Sequence, residues 1–446
     1  MPGDTLSRLR IALTVFFALD GFVFAGWVVR IPAIKEQTGA SASALGLALL
    51  GVSAGAVVTM MLTGRLCHRY GNHRVTVACA VLLSLSVTLP PLTHSAPALA
   101  AVLLLFGAAY GGINVAFNSA AVDLVAALDR PIMPTFHAAF SLGGMIGAGL
   151  GGLVADSLSP SLHLLGLCAV GLLVTALAGP TLLREAAPGS RTVSAEESTG
   201  DSAHATHGTA SASRALDDGT ASASRALNDG TASAPQAPDD GTASAPQAPH
   251  GRTHSAETPS RHLTPRTRRL VVVFGLIALC TAYGEGALAD WGALHLQQDL
   301  DTSPGLAAAG YSCFALAMTV GRLSGTALLQ RLGRTRTVVA GGATAAVGML
   351  VASLTPAAWA ALLGFAVTGL GLANIFPVAV ERAGALAGPT GVAVASTLGY
   401  GGMLLGPPAI GFMADWFSLP VALTSVAALA ATAALIGLTI RRAGSG

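Results

Sequence analysis

The chain has 446 residues, a formal net charge of +2, 52% hydrophobic residues and only 10% charged ones. Residues 184–269 hold 9 of the 24 basic and 10 of the 22 acidic residues, so the other 360 positions keep only 27 charges. That density is far below the roughly 25% of a soluble domain, and no basic patch with interleaved aromatics accompanies it. An ordinary soluble enzyme and a nucleic-acid binder are both excluded.

Apolar runs long enough to cross a bilayer, about 20 residues each, fall near 10–33, 44–66, 75–92, 97–120, 135–155 and 162–183. They resume near 270–291, 305–329, 337–355, 357–379, 392–413 and 419–440. The expected architecture is all-α and integral to the membrane: 12 spans in two six-helix bundles, residues 1–183 and 270–446, joined by a linker at 184–269. The first run has no small-residue cleavage site after it and reads as a retained helix rather than a signal peptide. With both termini cytoplasmic, 22 of the 24 Lys and Arg fall on the inside and only Arg30 and Lys35 outside, as the positive-inside rule requires. The linker repeats GTASA at 208, 219, 230 and 241 and has almost no apolar seam, so it reads as a disordered cytoplasmic tether. The five cysteines stand singly, with no CxxC pair, and imply neither a metal site nor a disulfide framework. No cofactor is expected.

The segments of the two halves echo one another. Asp20-Gly21 with Trp27 answers Glu285-Gly286 with Trp291; Arg69-Tyr70-Gly71 with Arg74 answers Arg331-Leu332-Gly333 with Arg336. Gly111-Gly112-Ile113-Asn114 answers Gly371-Leu372-Ala373-Asn374. Gly143-Gly144-Met145 answers Gly401-Gly402-Met403, and each of these segments closes on Ala-Asp, at Ala155-Asp156 and Ala414-Asp415. Parallel six-helix repeats are a transporter plan, with the substrate site near the midplane between them.

Asp20 lies in the middle of an apolar segment, where an acid costs roughly 2.5–3.5 kcal/mol on insertion scales. Trp27 is close to two helical turns on and shares its face. An acid that exchanges its proton as access alternates is the minimum machinery for proton coupling, which makes Asp20 and Glu285 the candidates. The plainer reading of either is a structural carboxyl bonded to a neighbouring helix. Asp290 is expected at the outer interface. Asn114 and Asn118, with Tyr110 beside them, could contact hydroxyls of a solute or bond across helices. Trp27, His137, Tyr283, Trp291, Asn374 and Tyr400 complete the expected substrate contacts; His137 could equally be structural. Asn374 precedes Pro377, where a break is tolerated if it lines a cavity.

Two soluble-enzyme patterns, Gly51 to Gly55 (G-x-S-x-G) and Gly147 to Gly152 (G-x-G-x-x-G), lie inside membrane segments and read as small residues for close helix packing.

The loop GRLCHRYGNHR, Gly64 to Arg74, resembles the G-x3-D-R-x-G-R-R motif of the major facilitator superfamily, with His68 in the place of its Asp. RIPAIKE, NVAFN, RPIMPTFHAAFSLGG and EGALADW are similar to a YbjJ-like branch related to fucose permeases. The resemblance implies a rocker-switch transporter; a monomer in the inner membrane, acting on a small solute and protons, is expected. It implies a conformational latch at Gly64, Arg65, His68, Arg69, Gly71 and Arg74, echoed at Arg331 and Gly333. In fucose permeases the position matching Asn114 is an acid that helps coupling; here it is neutral. Gly143-x3-Gly147-Ala148-x2-Gly151-Gly152 also resembles a motif of proton-coupled drug exporters, with Ala148 replacing its Pro. Symport of a sugar-like solute is therefore expected, with export of an amphipathic compound or a non-transporting sensor as alternatives.

Overall fold

The computed structural model describes residues 2–128, 132–185 and 264–443. The expectations about the repeat-bearing linker lie mostly outside these residues. The first half contains α1 (Pro2–Val28), α2 (Ile31–Thr38), α3 (Ala42–Tyr70), α4 (Asn72–Ser86), a 3-10 turn (Pro90–Leu92), α5 (Ala96–Leu128), α6 (Met133–Leu153) and α7 (Pro160–Arg184). The second contains α8 (Pro265–Gln298), α9 (Pro304–Leu323), α10 (Gly325–Leu332), α11 (Arg334–Leu354), α12 (Ala358–Leu372), α13 (Ile375–Trp416) and α14 (Leu419–Ala443). Short connections make successive long helices antiparallel. The start of α1 and the ends of α7 and α14 share one end of the bundle, here termed the terminal end.

Local chemistry sets the helix starts. Ser41, Ser159, Thr264 and Ser303 each accept a hydrogen bond from a first-turn N–H, and Pro160, Pro265 and Pro304 follow the last three. Such a side chain replaces one of the partners that the first four N–H groups lack, and Pro in the first turn loses no bond.

Packing repeats between the halves. The contacts α1·α6, α3·α5 and α4·α7 recur as α8·α13, α9·α12 and α11·α14. Small residues bring backbones together at these crossings: a Cβ on Gly143 would strike the carbonyl of Ala18, and one on Gly402 that of Leu279. Gly51 and Gly55 meet the α5 backbone at Ala100 and Leu104 in the same way. A Cβ on Gly147 would likewise strike the Phe22 carbonyl, so the two enzyme-like patterns belong to helix packing. Between the halves, α3 lies on α13 and α6 on α9.

Eleven helical stretches among the described residues are long and apolar enough to cross a membrane. The twelfth expected stretch, 392–413, is not one of them. It is the second limb of α13, which bends at Ala387 (φ −139°, ψ 19°) and Gly388 (φ 57°, ψ −143°). Its Gly, Ser, Tyr and Pro content lowers its hydropathy. Two further expected spans are interrupted: 305–329 at Ser324, between α9 and α10, and 357–379 at Ala373-Asn374, between α12 and α13.

Candidate functional site

A cavity of about 290 Å3 lies between the halves. From the first half it is lined by Gly21 and Phe24 of α1, by α3 from Leu49 to Met60, by Tyr110 and Asn114 of α5, and by Phe140, Ser141 and Gly144 of α6. From the second half come Glu285, Gly286, Ala289 and Asp290 of α8, α9 residues from Tyr311 to Arg322, and Tyr400 and Met403 of α13. Four of the expected site residues, Tyr110, Asn114, Glu285 and Tyr400, are thus brought together.

Glu285 is ion-paired: Nη2 of Arg322 donates to both carboxylate oxygens, at 3.4 and 3.2 Å. Arg322 falls near the expected end of its span, where the topology counts it among the inside cations. Instead it turns into the cavity, where its side chain stays 45% exposed. Asp290, expected at the outer interface, also lines the cavity; it follows Glu285 by five residues, about 1.4 turns along the same helix.

Asp20 takes a different place from its repeat partner. It is fully buried, and neither carboxylate oxygen has a hydrogen-bond partner. The Asn114 amide approaches it as a weak donor outside strict hydrogen-bond geometry, and the Tyr110 phenol interacts with it electrostatically. Those two residues line the cavity and Asp20 does not, so the acid sits one layer behind the wall. On α1 the cavity-facing stripe is Gly21 and Phe24, adjacent to the face that carries Asp20 and Trp27.

Several expected contacts are turned into the halves rather than toward the cavity. Trp27 is buried against Phe106, ring centroids 6.2 Å apart. Trp291 is fully buried with its Nε1 unpartnered. The Tyr283 hydroxyl pairs with Ser425 Oγ at 2.9 Å. Asn118 Nδ2 donates to the Asn114 carbonyl at 2.7 Å, within one helix. His137 differs from these: it is exposed near the terminal end, edge-on to Phe17 at 5.6 Å, and interacts electrostatically with Arg322 of the other half. A helical wheel assigns a face, but in a bundle buried on several sides it does not say which interface that face meets.

Asn374 is a brace rather than a cavity residue. Its Nδ2 donates to the Gly321 carbonyl at 2.8 Å, and a Cβ on Gly325 would strike its Oδ1. One side chain thereby ties the α12–α13 break to the α9–α10 break. We expect Asn374→Ala to destabilise the folded protein by about 0.5–1.5 kcal/mol, the net worth of one hydrogen bond, since the Gly321 carbonyl keeps Ser324 Oγ as a donor at 3.1 Å. Thermal unfolding in detergent measures this, and an unchanged midpoint would remove the brace.

The hydrogen bonds that join the halves lie at the end opposite the termini. Asp415, in the last turn of α13, accepts from the Ala42 and Ser43 N–H groups of α3, both at 2.9 Å. Asp156, which follows α6, accepts from the Gly305 N–H of α9 at 3.3 Å. These are the two Ala-Asp pairs of the internal repeat, each placed at the N-terminus of a helix in the other half. There the helix dipole favours negative charge. Lys35 Nζ adds a bond to Gln298 Oε1 at 3.3 Å. Behind Asp156, the buried Arg30 donates to His163 Nδ1 at 2.8 Å and to the carbonyls of Val154 and Ala155. Burial pushes the Arg30 guanidinium pKa down, and the Asp156 charge opposes that shift. No hydrogen bond between the halves is described at the terminal end, and Tyr400 is 53% exposed although it lines the cavity.

The expected latch has a clear backbone element. Gly71 (φ 85°) and Gly333 (φ 76°) turn α3 into α4 and α10 into α11, a left-handed conformation that favours glycine. Gly64 has open space around it. Arg65, His68, Arg69, Arg74 and Arg331 are exposed, and no hydrogen bond or ion pair is described for them; Arg69 lies 5.3 Å from the Tyr70 ring. The charged and polar ties near these turns stay within each half: Asn72 Nδ2 to Asp123 Oδ2 at 2.7 Å, and Arg334 Nε to Glu381 Oε1 at 3.0 Å.

Two halves of matching helix packing enclose one central cavity, and sequence comparison supplies the family. The Major Facilitator Superfamily family model matches residues 11–283 and 274–445. The chain belongs to the major facilitator superfamily. It is 30% identical over 437 residues to an uncharacterized MFS-type transporter of Yersinia pestis, covering 97% of this chain and 96% of that one. Its fold is similar to that of the nucleoside transporter NupG, with a TM-score of 0.66 at 12% identity over 97% of this chain and 98% of that one. It is also similar to a D-xylose-proton symporter, with a TM-score of 0.65 at 12% identity over 96% and 97%. The chain is a multi-pass membrane transporter of this superfamily, a transport protein rather than an enzyme.

Proposed function

We propose that this superfamily member is a proton-coupled secondary transporter of a small polar solute, with Asp20 and Glu285 as its coupling carboxyls. The observation that carries this reading is the central cavity, lined by both halves and closed at one end by paired inter-half bonds. Its wall supplies an amide (Asn114), a Glu285–Arg322 pair and three tyrosines, Tyr110, Tyr311 and Tyr400. Such groups fix the orientation of a polar solute inside an otherwise apolar site. The similar folds named above include a nucleoside transporter and a sugar–proton symporter. The resemblance to the YbjJ-like branch points the same way.

We further propose twelve crossings, with the second limb of α13 as the eleventh, and both termini in the cytoplasm of a bacterial cell. Arg65, Arg69, Arg74, Arg331, Arg334 and Arg336 gather at the terminal end, against Arg30 and Lys35 at the other, which fits the positive-inside rule. The conformation is then open to the inside with the latch loops released.

A second reading, export of an amphipathic compound, draws on Phe24, Phe140, Phe314, Met60, Met318 and Met403, which make much of the wall apolar. A thermal-shift screen of the purified protein against sugars, nucleosides and hydrophobic drugs separates the two. A solute present at 100 times its Kd stabilises the folded state by about 2.7 kcal/mol. Arg322→Gln is expected to abolish the shift produced by a polar solute. A shift by drugs alone, insensitive to Arg322→Gln, would reject symport of a polar solute.

A further inference from the structure

The cavity walls do not balance in charge. Glu285 and Arg322 neutralise each other across 3.2 Å. Arg322 is the sole cationic side chain in the described lining, whereas the lining contains a second carboxylate, Asp290. No hydrogen bond or ion pair is described for Asp290, and its electrostatic neighbour is the Tyr311 phenol. The wall of the same cavity is aromatic: Tyr311, beside Asp290, lies 6.3 Å from Phe314, and Phe24 is stacked with Tyr110 at 5.1 Å. A neutral solute filling this space would displace water from Asp290 and give it no counter-charge, which is costly in a low-dielectric site. An ammonium group would supply the counter-charge and three donors, and the aromatic faces would attract the same cation. With about 290 Å3, the space is at the small end of the roughly 300–1,000 Å3 typical of small-molecule sites, so the solute is metabolite-sized.

We propose that the transported solute carries a protonated amine and that Asp290 is the residue that selects it. This deepens the transport reading above and rests on it.

The test uses the purified full-length protein and probes matched except for one amine: glucosamine against glucose, and tyramine against tyrosol. Loss of one partner from a desolvated charge pair is large, so at least one amine should bind about thirtyfold or more tighter than its neutral partner. Thermal shift and isothermal titration both read this ratio. Asp290→Asn should collapse it toward one, and Asp290→Glu should restore it in part, which a merely structural role would not do. The unliganded melting temperature of each variant shows whether it has folded. If no amine outperforms its neutral partner in the wild-type protein, whether both bind or neither does, the proposal is overturned. The transport reading has a separate outcome: neutral probes exchanged across proteoliposomes with no amine preference would leave it standing, and exchange of neither kind would count against it.

Discussion

Asp20→Asn should abolish pH-gradient-driven solute accumulation in proteoliposomes while solute exchange persists. The substitution keeps shape and removes the titratable proton. Asp20 is fully buried, without a hydrogen-bond partner, behind Asn114 and Tyr110. A bare acid in that position is a burden on stability, which makes it a candidate for a functional role. Each pH unit across the membrane is worth about 1.4 kcal/mol per coupled proton, roughly tenfold in accumulation. With a gradient of about two units the wild-type protein can reach roughly 100-fold accumulation by one proton, and the variant should stay near onefold. Asp20→Leu should in addition raise the melting temperature, since an apolar group suits the site better. Undiminished accumulation by Asp20→Asn would eliminate this residue from coupling. Glu285→Gln makes a less selective probe, because it also strips Arg322 of its partner.

The second large effect concerns the end of the bundle opposite the termini. Replacing Asp156 and Asp415 together by Ala should shift the resting conformation toward one open at that end. Each carboxylate caps a helix start in the other half, an interaction worth about 1 kcal/mol at an exposed site. Losing both is then about 2 kcal/mol, or roughly thirtyfold in the conformational equilibrium. Spin labels at positions 92 and 417, both exposed and on opposite halves, should report a longer distance in the double variant. Each single variant should give part of the change. A distance distribution identical to that of the parent protein would show that these bonds do not hold the end closed.

Much of the architecture is legible in the chain because membrane helices announce themselves by length and hydropathy, and because the halves repeat. The turns at Gly71 and Gly333 are readable for a physical reason: a left-handed φ leaves glycine as the favoured residue. The site is legible only in part. Asn114, Glu285, Tyr110 and Tyr400 line the cavity because polar groups in a membrane segment gather at water-accessible space. Trp27, Tyr283 and Trp291 were drawn to the cavity by proximity to an acid, and packing inside each half claimed them instead. Arg322 was hidden by its nearness to a helix end, where a cation ordinarily marks topology. Asp156 and Asp415 stood out as a repeat, yet their partners are backbone N–H groups, which leave no mark in a sequence.

The helix interruptions make the halves mechanically unequal. In the first half, α3 and α5 run unbroken for 29 and 33 residues. Their counterparts in the second are each split, at Ser324 and at Ala373-Asn374, and Asn374 fastens one split to the other. A continuous helix resists bending along its whole length, whereas a jointed one concentrates strain at its joint. When the halves rock, the first should therefore turn as a stiff lever. The second should absorb the motion at two coupled joints, which lie just beyond Arg322 on the side of the cavity away from the closed end.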